Sequence, residues 1–85
     1  MIIVSSLRFE RELHALLKSH RLSENRVRKI LYIIESNPRS PVLKLHKLSG
    51  TNNFAVSVDQ NMRIILHFEN DVVILLRIGS HDEVY

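Results

Sequence analysis

Apolar residues in the first half of this chain recur at helical spacing and those in the second half alternate, with the switch near residue 41. Phe9, Leu13, Leu16 and Leu17 form one stripe, with Arg11, Glu12, His14 and Lys18 around it, which predicts helix one over Arg8 to Ser19. Val27, Ile30, Leu31 and Ile34 form a second stripe. Ser23 is a suitable N-cap before it and Asn37-Pro38 a stop after it, so helix two is expected from Glu24 to Ser36. His20-Arg21-Leu22 between them leaves room only for the turn of an antiparallel helical hairpin.

Beyond Pro41, Phe54, Val56 and Val58 alternate with Ala55 and Ser57, and Met62, Ile64, Leu66 and Phe68 with Arg63, Ile65 and His67. The same period, continued, sets Val72, Ile74, Leu76 and Ile78 against Val73, Leu75 and Arg77. Asp59-Gln60-Asn61 and Glu69-Asn70-Asp71 are short connections whose Asn and Asp accept left-handed geometry, so the three strands are expected as an antiparallel meander. Ile2-Ile3-Val4 reads as an edge strand and Leu43 to Lys47 as a further short strand or extended segment. The expected class is α+β: an N-terminal strand and a helical hairpin packed on one face of a small antiparallel sheet, residues 1–85 forming a single domain.

Alternation then assigns Ala55, Ser57, Arg63, Ile65, His67, Val73, Leu75 and Arg77 to the face away from the helices. Ile65, Val73 and Leu75 on that face suggest contact with a partner protein or with another segment of the chain. Arg63 and Arg77, on strands that pair, have the chemistry of a two-pronged phosphate clamp; the alternatives are pairing with Glu69, Asp82 or Glu83, or reaching out into water.

Composition narrows the chemistry. The chain is 45% hydrophobic and 25% charged, as in ordinary soluble globular proteins. No cysteine is present, which removes disulfides and thiol nucleophiles and fits a reducing compartment, the cytoplasm. No secretory signal or membrane span is visible. Twelve Lys and Arg against nine Asp and Glu give a net charge of +3, a modest bias toward anionic partners. A metal site would need His46, His67 and His81 to converge, and no cofactor motif is found. As a proton-transfer set, His46, His81 and Tyr85 are better placed, since both ends of the strand-rich half can meet around one groove.

The order of elements, with His46-Lys47-Leu48-Ser49-Gly50, Phe54 to Val58, Met62 to Leu66 and the ending Arg77-Ile78-Gly79-Ser80-His81-Asp82-Glu83-Val84-Tyr85, resembles the RelE and ParE superfamily of bacterial toxin components. The resemblance covers essentially the whole chain. The Arg-x-Gly-Ser-His segment is similar to the YafQ branch and the Glu-Val-Tyr ending to RelE. It implies an endoribonuclease that cleaves messenger RNA in the A site of the 30S ribosomal subunit, with no membrane partner. It also implies silencing by a cognate antitoxin that wraps the toxin in a hetero-oligomer.

Carried over by position, the resemblance implies catalytic roles for His81, Tyr85, His46 and Arg63, and RNA contacts for Arg77, Lys44, Lys47 and His67. Ile65, Val73 and Leu75 would be antitoxin-binding. Ala55 and Ser57 stand where RelE has lysines, and Val58 and Met62 where YafQ has a histidine and an aspartate. The chemistry implied needs no metal: a base takes the proton of the RNA 2′-hydroxyl, cations hold the phosphoryl oxygens and an acid protonates the leaving 5′ oxygen. His81 fits the acid, and His46 fits the base better than Tyr85. A ParE-like gyrase inhibitor and a catalytically inactive member acting through its antitoxin are the other readings.

Overall fold

The computed structural model describes all 85 residues. In chain order the elements are β1 (Ile2–Ser5), α1 (Leu7–Lys18), α2 (Glu24–Ser36), a 3-10 turn (Pro41–Leu43), β2 (His46–Lys47), β3 (Phe54–Ser57), β4 (Met62–Glu69), β5 (Val72–Ser80) and α3 (His81–Val84). The expected α+β class holds, as do both helices, the three-strand meander and the N-terminal edge strand; of Leu43 to Lys47 only His46–Lys47 is a strand, because Leu43 closes the 3-10 turn and Lys44 is left-handed. Helix α2 has the expected bounds, and Ser23 caps it by accepting from the Arg26 amide. Helix α1 starts one residue early because Ser6 is its N-cap, accepting from the Phe9 amide.

The strand order is β1-β5-β4-β3-β2, with antiparallel pairing except at β1, which runs parallel to β5. The sheet is therefore mixed. Between β1 and the meander the chain passes through both helices, which is the kind of connection a parallel neighbour requires. Helix residues Phe9, Leu16, Val27, Ile30 and Ile34 bury against one face of the sheet, and Leu22 plugs the interhelical turn.

Strand β5 departs from the expected alternation. Leu66 pairs with Leu75 but Ile65 with Arg77, so Leu76 is an extra residue, a β-bulge. Val73 and Leu75 consequently face the helices, 0% and 1% exposed, and Ile78 returns to the same core after the bulge. The expectation that Val73 and Leu75 form an outer apolar surface is thus corrected. Leu76 instead packs with Ala55, Ile65 and Val84 in a second, smaller cluster on the opposite face.

Strand β1 ends at Ser5, opposite Leu75, and leaves the rest of that β5 edge without a strand partner. Side chains take over. The Ser6 hydroxyl donates to the Leu76 carbonyl at 2.8 Å, and Glu12 on α1 accepts from the Ile78 amide at 3.2 Å. The other Glu12 oxygen accepts from Arg77 Nη2 at 2.7 Å and Nε at 3.2 Å. Truncating Glu12 orphans an amide and a half-buried guanidinium together. Glu12→Ala is expected to lower stability by about 1–3 kcal/mol in urea denaturation, with Glu12→Gln recovering part of the loss. An unchanged midpoint would show that this carboxylate contributes nothing.

Candidate functional site

The site forms where β5 ends and α3 folds back across the sheet. Ser80 caps α3 in a reciprocal box: its hydroxyl accepts from the Glu83 amide at 3.3 Å, and Glu83 accepts from the Ser80 amide at 2.9 Å. Glu83 is also held by Arg21 of the interhelical turn, at 3.0 and 3.4 Å through both carboxylate oxygens. Val84, 9% exposed, seals the cluster of Ala55 and Ile65. Close approach of α3 to β5 depends on Gly79, where a Cβ would stand 3.1 Å from Val84 Cγ1 and 3.2 Å from Glu83 Cβ. Sequence reasoning missed this helix and its latch. The Ser80-x-x-Glu83 box was the signal present, although Arg21 as partner lay beyond any local pattern.

The docked helix carries His81 and Tyr85 to His46. The Tyr85 hydroxyl lies 3.2 Å from His46 Nε2, and the His81 ring stands edge-on to Tyr85 with centroids 4.2 Å apart. His46 is positioned by β2, where it pairs with Ala55, and by Lys44, whose left-handed backbone aims its carbonyl at His46 Nδ1, 3.2 Å away. A carbonyl only accepts, so Nδ1 carries the proton and Nε2 presents a lone pair, to which Tyr85 donates. His81 Nδ1 is 3.5 Å from Asp82 Oδ1, and both side chains are open to solvent. The expected grouping of His46, His81 and Tyr85 is what the chain builds.

Other predicted residues fall differently. Arg63 Nη1 donates to the carbonyls of Asp59, Gln60 and Met62, fixing the guanidinium over the β3–β4 turn while Nε and Nη2 make no hydrogen bond in the protein. Arg77 is consumed by Glu12 and lies across from Ile65, whereas Arg63 lies across from Gly79, so the two do not form a clamp. His67 Nδ1 contacts the Asn52 carbonyl at 3.3 Å, away from the other two histidines considered for a metal. Lys44 and Lys47 are exposed beside His46. Ile65, 4% exposed, is covered by this chain's own Val84 rather than being open to a partner. No three His, Asp or Glu side chains converge as a metal-ligand set. No helix is long and apolar enough to cross a membrane.

No protein-family model matches the sequence, and no curated protein is similar to it. Solved structures do match. A copper-bound mutant toxin from Helicobacter pylori superimposes with a TM-score of 0.87 at 19% identity, covering 100% of this chain and 99% of that one. In the Escherichia coli DinJ-YafQ toxin-antitoxin complex the matched chain gives 0.85 at 18% identity, over 98% and 94% of the two chains. A YoeB/ParE toxin from Agrobacterium tumefaciens gives 0.79 at 10%, over 95% and 99%. The chain has the fold of the RelE/YafQ-like toxins. In this fold His81 and Tyr85, at the C-terminal end of the chain, meet His46 of β2.

The latch makes the site sensitive to acid. Glu83 has its pKa lowered from 4.5 to about 2, first by the Arg21 hydrogen bond and then by Ser80. A depressed carboxylate stabilises the fold fully above its unfolded value and loses that contribution as pH falls through its folded value. The Tyr85 and His81 resonances should therefore report a docked tail above about pH 4.5 and progressive release toward pH 2. Arg21→Gln should move that release to higher pH; an identical titration would discount the latch. Independently, Gly79→Ala should leave the helices and sheet folded while breaking the Tyr85–His46 contact, visible as a shift of the His46 ring signals.

Proposed function

We propose that this protein is the toxin of a type II toxin-antitoxin pair and that it cleaves messenger RNA in the ribosomal A site without a metal ion. The observation that carries the reading is the Tyr85 hydroxyl on the lone pair of His46 with His81 alongside, on a fold shared with toxins. General acid-base chemistry requires two proton-handling groups within reach of one phosphodiester, and this cluster supplies them.

In the proposed reaction the RNA 2′-hydroxyl gives its proton to the Tyr85 oxygen as the Tyr85 proton passes to His46 Nε2, so that His46 is the terminal base. The 2′ oxygen attacks phosphorus, and the bond to the 5′ oxygen breaks. Protonated His81 donates to that leaving oxygen, giving a 2′,3′-cyclic phosphate and a 5′-hydroxyl end. The unused Nε and Nη2 of Arg63 hold the phosphoryl oxygens, a fixed cation whose orientation is set by three backbone carbonyls. Lys44 and Lys47 flank the strand. Arg77 takes a structural role through Glu12 instead of an RNA contact.

An antitoxin partner is part of the same proposal, supported by the complex in which YafQ is held by DinJ. Such a partner meets Ile2, Val4 and Leu7, which are exposed apolar side chains, instead of the buried Ile65, Val73 and Leu75. Action on the ribosome places the protein in the cytoplasm.

In a translating extract the wild type should produce new messenger 5′ ends at codon spacing. His46→Ala, His81→Ala and Tyr85→Phe should each reduce cleavage by about 100-fold or more. Full activity in Tyr85→Phe beside an inactive His46→Ala would remove the tyrosine relay. Intact messenger with broken or abnormally supercoiled DNA would replace the nuclease reading by gyrase inhibition.

A further inference from the structure

A second feature adjoins the proposed site at the β3–β4 turn, with Arg63 and Lys44 belonging to both. The start of α2, the 3-10 turn and residues 57–63 enclose a cleft of about 180 Å³. Four cations line it, Arg26, Lys29, Lys44 and Arg63, against the single carboxylate of Asp59. That carboxylate is committed to the turn, its Oδ1 accepting from the Asn61 and Met62 amides at 2.8 Å each. None of the four cations has an acidic partner within ion-pairing distance, whereas Arg8, Arg21, Arg28 and Arg77 are all paired. Both arginines are nevertheless oriented, since Arg26 Nε donates to the Val58 carbonyl at 2.8 Å and Arg63 to the turn. Oriented, uncompensated guanidinium groups in a concave site are suited to phosphate oxygens.

Gln60 connects this cleft to the His81 groove, because it also lines the neighbouring depression formed with Arg21, Ser80 and His81. We infer that the cleft binds the phosphodiester backbone of single-stranded RNA and leads that strand over Gln60 to His81. The inference rests on the nuclease reading for its direction, though its binding chemistry is separate. The path bends around a turn, which a flexible single strand follows and a stiff duplex does not. No aromatic side chain lines the cleft, so it offers no stacking platform and reads backbone rather than base.

The test is the binding of a fluorescent 2′-O-methyl RNA, which cannot be cleaved, across a salt series. Lys29→Gln should weaken binding uniformly across sequences and lower the slope of log affinity against log salt by about 0.7, one single-strand phosphate contact. Lys29→Arg should restore the slope, and Lys18→Gln on α1 should leave it unchanged. Arg26→Gln should act like Lys29→Gln, with circular dichroism checking that loss of its bond to Val58 has not unfolded the chain. Wild-type affinity and slope in Lys29→Gln, or equal binding of duplex DNA, overturns the inference even if His46→Ala abolishes cleavage. Lys29-dependent RNA binding by a protein that cleaves nothing supports the cleft and removes only the nuclease reading.

Discussion

Glu12 closes β5 where β1 stops, and the candidate site depends on that closure. A strand edge beyond its neighbour leaves unpaired backbone groups that are costly when half-buried. Here one carboxylate accepts the Ile78 amide and neutralises Arg77, tying α1 to the strand just before Gly79. The bulge at Leu76 directs Leu76 to the outer face while Leu75 and Ile78 stay in the main core. Both features act immediately upstream of the turn into α3, so the direction in which the tail leaves β5 is set before His81 is reached.

The elements were legible because most of them have a distinct period. Both helical stripes, β3 and β4 alternate or recur clearly, and the observed core follows them. Strand β5 begins Val72-Val73-Ile74-Leu75-Leu76, which is apolar at every position and so carries no information about which face is inward. A one-residue change of phase there inverted the assignment of Val73 and Leu75. The site was legible in its residue types, since His46, His81 and Tyr85 do meet. Their supports were not, because any arginine can pair with any acid: Arg77 with Glu12 and Arg21 with Glu83 join residues far apart in the chain, and only the folded geometry selects them.

Charge on this surface is sorted by what each cation is bonded to. Arginines that meet carboxylates hold elements together, Arg77 fixing α1 to β5 and Arg21 fixing the interhelical turn to α3. Arg26 and Arg63 instead meet backbone carbonyls, which orient them without cancelling their charge. Neutral acceptors leave most of the electrostatic potential available to a ligand, whereas a carboxylate partner removes it. A net charge of only +3 can therefore still present a locally strong anion-attracting surface.

The absence of a lysine at position 55 follows from the docking of the tail. Ala55 is fully buried beneath Val84 and beside Ile65. A lysine there, as in the RelE pattern, would require burying an ammonium group or displacing Val84, and the former is strongly unfavourable without a partner. Displacing Val84 would carry Tyr85 and His81 away from His46. Val58 and Met62 are likewise core residues, packed under the helices, and have no room for the polar groups of the YafQ pattern. An apolar seat under α3 and a lysine at position 55 are thus mutually exclusive in this chain. With the strand given over to seating the tail, the polar side chains of His81 and Tyr85 gather at His46, and positive charge lies beside them in Lys44 and Lys47 and over the β3–β4 turn in Arg63.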